Sequence, residues 1–307
     1  MPRQVTFQSQ GIKIAGNLYL PKDTQPKKQA AVVVSHPGGG VKEQTSGLYA
    51  EKLVELGFIA LTFDAAYQGE SEGLPRYLED PNQRVEDIKS AISYLTTLDE
   101  VDPERIGALG ICASGGYATC AAQTDVRIKA VAGISSADVG ELWREGLNGS
   151  LSFEDLQKGL QESARQRTRE AKGEEPYMTN WVPKTAEDAA ALPPRSLFAE
   201  AYDYYCTPRA QHPRSTNSYV FRSMDKLVQF SAFDYVHLIS PRPVLLIAGT
   251  DADTKYFSEK TIEKAKEPKE LFLVEGASHV DLYDVLKYVN PIAEKLNQYF
   301  TQYLVDC

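Results

Sequence analysis

Polar and apolar residues alternate from Val5 to Tyr19, with Gly11 and Pro21 as punctuation, which predicts a β-hairpin. Short, continuously apolar runs follow at 30–35 and 57–63, and further strands are expected at 128–134, 243–248 and 269–274. Runs of this length without alternation mark strands buried on both faces of a parallel sheet. The turn at Asp102–Pro103 precedes another such strand, which ends at Ile111. Val85, Ile88, Ala91, Ile92 and Leu95 share one face of a helix expected over 85–98, and another helix is expected over 282–299. Strands alternating with helices imply an α/β fold, a mostly parallel central sheet flanked by helices on both faces.

This rhythm stops between 137 and 240, where no convincing β-run occurs. The segment holds a helical stretch at 153–169, then irregular aromatic-rich sequence around 177–181 and 202–205. A structureless loop of about a hundred residues is improbable in a compact domain. The expected organisation is a core of 1–136 and 241–307, with 137–240 inserted as a mostly helical cap. Trp143, Tyr177, Trp181, Tyr202, Tyr204 and Tyr205 exceed what a solvated linker needs. Most should pack the cap onto the core, and some should line an apolar pocket over the sheet's carboxyl edge.

Composition narrows the function. The net charge of −9 argues against a nucleic-acid or anionic-membrane surface. No apolar run approaches the roughly 20 residues that span a bilayer, and the first residues lack a signal-peptide core. A cytoplasmic location is expected. Cys112, Cys120, Cys206 and Cys307 form no C-x-x-C pair and read as free thiols. The four histidines show no H-x-x-x-H or H-E-x-x-H spacing, so neither metal nor cofactor is expected.

The chemistry concentrates at 110–116. Small residues surround Cys112 at the tip of an apolar strand, as a tight strand–nucleophile–helix turn requires. Ser114 offers a competing register, but the strand ends at Ile111, which favours Cys112. A nucleophile needs a base, and His279 follows the last core strand, where a catalytic histidine is expected. Asp253 and Asp251 compete as the orienting acid in the loop after 243–248, with Asp253 slightly favoured. His36 and Pro37 lead into Gly38, Gly39 and Gly40, whose backbone amides, with that of Ala113, could receive an oxyanion. His36 and Tyr67 are expected near substrate.

These residues resemble an α/β-hydrolase across nearly the whole chain. The stretch 110–116 is similar to the G-x-C-x-G-G elbow of dienelactone hydrolases, with Ser114 in place of glycine. The segments 35–40, 64–71 and 279–284 resemble those of bacterial dienelactone-hydrolase-like proteins and of the fungal polyketide transferase family. The resemblance implies an acyl hydrolase for esters, thioesters or lactones, working through an acyl-thioester on cysteine. Acyl transfer to an alcohol and a catalytically silent, ligand-binding hydrolase fold stand as alternatives. The expected partner is a small-molecule acyl substrate, with a homodimer left open.

Overall fold

The computed structural model describes residues 1–22 and 28–306. Cys307 lies outside the described residues. One sheet organises the core: β1 (Arg3–Ser9), β2 (Ile12–Tyr19), β3 (Gln29–Ser35), β4 (Ile59–Phe63), β5 (Val101–Ile111), β6 (Ile128–Ile134), β9 (Val244–Gly249) and β10 (Lys269–Val274). Two short strands, β7 (Met178–Asn180) and β8 (Ser218–Val220), pair with each other outside it. The large sheet runs in the order β1-β2-β4-β3-β5-β6-β9-β10. Only the β1–β2 and β2–β4 pairings are antiparallel; β4 through β10 run parallel. Every residue of β4 and β9 is buried, as expected of strands covered on both faces.

Eleven α-helices are found among the described residues. Those of the core are α1 (Thr45–Glu55), α2 (Pro81–Leu95), α3 (Ala113–Thr124), α9 (Lys255–Lys264), α10 (Asp281–Asp284) and α11 (Leu286–Leu304). Helix α2 starts four residues before the apolar stripe. Asp80 accepts the backbone N–H groups of Asn82 and Gln83, and Pro81 takes the first helical position. The single helix expected over 282–299 is two helices, broken at Val285 and continuing to Leu304.

Between β6 and β9 lie α4 (Val139–Glu145), α5 (Phe153–Ala171), α6 (Ala186–Ala190), α7 (Leu197–Cys206) and α8 (Ser223–Gln229). The β7–β8 ladder departs from the strand-free reading of this segment; three residues per strand carry too little alternation to read. Trp143 meets Tyr219 of β8 edge-on and Trp181 lies tilted over it, with ring centroids 6.1 and 4.5 Å away. The ladder thus fixes an aromatic cluster. No helix among the described residues is long and apolar enough to cross a membrane.

Candidate active site

Cys112 joins β5 to α3 with φ 57° and ψ −121°, a conformation L-residues rarely adopt. Such backbone costs about 1–3 kcal/mol and persists only where its surroundings hold it. Here Cys112 N–H donates to Ile134 O at 2.9 Å. Its carbonyl accepts from Gly115 N at 2.9 Å and Ala137 N at 3.1 Å. The turn also demands Gly110, where a Cβ would lie 1.8 Å from Ser114 O. Ser114 faces elsewhere: its hydroxyl donates to His36 O at 2.5 Å and accepts from Arg84 Nη2 at 3.2 Å. Of the two registers, only Cys112 presents its side chain to a cavity.

That cavity is about 50 Å³ and almost wholly apolar. Cys112, Gly38 and Ala113 form its floor; Trp143, Trp181, Leu197, Phe198 and Tyr205, all from 137–240, form much of its wall. The backbone amides of Ala113 and Gly38 both favour negative charge on the Cys112 sulfur, so two N–H groups stand near the reacting centre. Gly39 has φ +74°, and a Cβ there would press to 2.9 Å from Trp181. Gly40 N–H is held by Pro37 O at 3.2 Å. The loop therefore offers Gly38 rather than Gly40 to the reacting centre.

His279 is fully buried in the turn before α10, and its carbonyl accepts from Ser135 Oγ at 2.9 Å. Its Nε2 lies 3.0 Å from Tyr283 Oη, and the Tyr283 hydroxyl also interacts with the Cys112 thiol. One phenol hydroxyl thus bridges thiol and imidazole. His279 Nδ1 lies 2.5 Å from Thr254 Oγ1. This corrects the expectation of a carboxylate there. Asp253 Oδ2 accepts the N–H of Leu197, the first residue of α7, at 2.9 Å. Asp251 is exposed and faces Arg195 at 3.6 Å. The turn after β9 sends both acids toward the cap and delivers Thr254 to the ring.

Burial shifts these groups in the neutral direction. It pushes the Cys112 thiol up, against weaker opposing effects from Tyr283 and the Ala113 and Gly38 amides. It pushes His279 down to about 3, with no carboxylate in opposition. Both directions favour a thiol beside a neutral imidazole over an ion pair.

His36 and Tyr67 are corrections as well. His36 does not line the cavity: its Nδ1 lies 2.7 Å from Pro37 O, and its Nε2 accepts from Ala65 N at 3.1 Å. Arg84 Nη2 adds a bond to His36 O at 2.8 Å. The histidine ties the oxyanion loop to β4 and α2. Tyr67 has φ 70°, its ring packs over Gly73, and it does not line the Cys112 cavity. Thr254, Tyr283 and Arg84 were missed. Tyr283 stands four residues after His279, one helical turn away, and that spacing was its only sequence signal. Among the described residues, no group of three or more His, Cys, Asp or Glu could hold a metal ion.

Residues 14–136 match the dienelactone hydrolase family. The Escherichia coli K12 protein YcjY is 38% identical over 295 residues, 95% of this chain and 95% of its own. The crystal structure of the hypothetical protein PA2218 from Pseudomonas aeruginosa superposes with a TM-score of 0.93 at 38% identity. It covers 99% of this chain and 94% of that one. Thiohydrolase aneE of Aspergillus aculeatus is 37% identical over 121 residues, 39% of this chain and 37% of its own.

Proposed function

From a chain that belongs to the dienelactone hydrolase family and is an ester or thioester hydrolase, we propose a reaction carried on the Cys112 sulfur. The observation that carries this reading is the strained elbow that holds Cys112 in the cavity, beside a Tyr283 hydroxyl that lies 3.0 Å from His279 Nε2.

The thiol proton passes to Tyr283 Oη as the Tyr283 proton passes to His279 Nε2, leaving a thiolate and an imidazolium. Thr254 Oγ1 accepts from Nδ1–H and keeps the ring oriented. The sulfur attacks the acyl carbon, and the oxygen gathers negative charge against the Ala113 and Gly38 amides. As the tetrahedral adduct collapses, the leaving thiolate or alkoxide takes the proton back along the same path. Water then gives its proton to the relay, attacks the acyl-cysteine and releases the carboxylic acid. Cys112 regains its proton. An imidazolium this deeply buried is costly, so proton movement and attack should coincide rather than pass through a standing ion pair. Thiolate attack favours activated acyl groups, thioesters and aryl esters, over amides.

A screen of acyl thioesters, aryl esters and lactones of graded chain length, with Cys112→Ala as blank, tests the reading. Thioesters and aryl esters should be hydrolysed and the variant should be silent. Undiminished hydrolysis by Cys112→Ala would remove the cysteine from the reaction.

A further inference from the structure

Two side chains that line the cavity beside Cys112 carry buried polar atoms left unpaired among the described residues. Tyr205 is 5% exposed, and its hydroxyl is buried without a hydrogen-bond partner among the described residues. The same holds for Trp181 Nε1. Both side chains line the cavity, whose remaining surface is almost entirely hydrocarbon. Buried hydroxyl and indole N–H groups are ordinarily paired, because losing a partner costs a full desolvation penalty.

Their position separates them from the oxyanion donors. A Cβ on Gly40 would stand 3.4 Å from Tyr205 Oη, and one on Gly39 would stand 3.5 Å from Trp181 Nε1. The two donors therefore flank Gly39 and Gly40, further along the loop than Gly38, whose amide faces the sulfur. A plain hydrocarbon chain would leave both unpaired. An oxygen a bond or two beyond the reacting carbonyl could accept from them.

Resting on the Cys112 acyl-enzyme reading, we propose that the cavity selects acyl groups bearing an acceptor oxygen, a second carbonyl or an ether, close to the reacting carbonyl, received by Tyr205 Oη–H and Trp181 Nε1–H. Rejection of analogues that lack a hydrogen-bonding group is the strongest discrimination a site of this kind builds.

The test uses two N-acetylcysteamine thioesters of equal length, hexanoyl and 3-oxohexanoyl. Wild type should prefer the oxo-acyl substrate in kcat/KM, and Tyr205→Phe should collapse that preference by about five- to tenfold, the value of one neutral hydrogen bond. Trp181→Phe should lower it in the same sense. An equal loss on both substrates, or an unchanged ratio, overturns the proposal. A second arm measures binding of hexanamide and 3-oxohexanamide to Cys112→Ala and to Cys112→Ala/Tyr205→Phe. If wild type hydrolyses neither thioester, the Cys112 reading fails. The binding arm still decides: tighter 3-oxohexanamide binding that depends on Tyr205 upholds the pocket, and equal affinities overturn it.

Discussion

Tyr283→Phe removes one oxygen atom and should disconnect the base from the nucleophile. In the structure His279 Nε2 meets Tyr283 Oη at 3.0 Å, and Tyr283 reaches the Cys112 sulfur. Positioned acid–base groups contribute about 10²–10⁴-fold, so loss of the bridge should lower acylation by about a hundredfold or more, about 2.7 kcal/mol in the barrier. His279→Ala should cost a similar amount. The double variant should cost little more than either, because both break one path. Stability should fall by only about 1–3 kcal/mol, the penalty for leaving the buried Nε2 unpaired. Single-turnover release of thiol from an acyl thioester reads the acylation step directly, and urea unfolding checks that both variants are folded. Tyr283→Phe acylating within threefold of wild type, beside a His279→Ala that is impaired a hundredfold, would refute the relay. The imidazole would then act on the thiol directly.

Three further outcomes follow from the same geometry. Thr254→Val should lower turnover by about tenfold or more by leaving Nδ1 unpaired, whereas Asp253→Asn should stay within about fivefold; a loss near 10⁴ in Asp253→Asn, the scale of a missing triad acid, would show that this carboxylate turns to the ring during reaction. Iodoacetamide labelling of Cys112 should be slow at pH 7 and still rising above pH 9, because burial raises the thiol; a midpoint below 8 would contradict the neutral resting pair. His279 is lowered to about 3 in the fold from 6.5 unfolded, so the unfolded chain binds the extra proton and stability is lost as pH falls through 6.5. Between pH 7.5 and 5, wild type should lose about 2 kcal/mol more than His279→Gln in urea unfolding, and equal losses would place the imidazole in water.

Much of this was legible because steric and burial rules act locally. The strands expected at 128–134 and 269–274 are β6 and β10; β6 is buried but for Lys129, whereas β10 closes the sheet as an edge strand with only Val274 buried. The elbow was legible because 110–116 permits little else. The acid was not legible. Asp251, Asp253 and Thr254 lie within four residues, and the path of the turn decides which side chain meets His279. Sequence favours a carboxylate by chemistry, while the backbone presents a hydroxyl. Tyr283 was hidden for a different reason: an aromatic one turn into a helical segment reads as core, and it is also core, packed on Tyr204 at 5.1 Å. His36 looked like a pocket residue because it opens a glycine loop, but Arg84 and Ala65, distant in sequence, claim its ring.

The central claim is that the acyl group is carried by the Cys112 sulfur. Rapid acid quench during turnover of an acyl thioester, followed by peptide mass spectrometry, measures it. The account predicts the acyl mass on the sulfur of Cys112, and its absence in Cys112→Ala. An adduct on Ser114, or sustained turnover by Cys112→Ala, would contradict it.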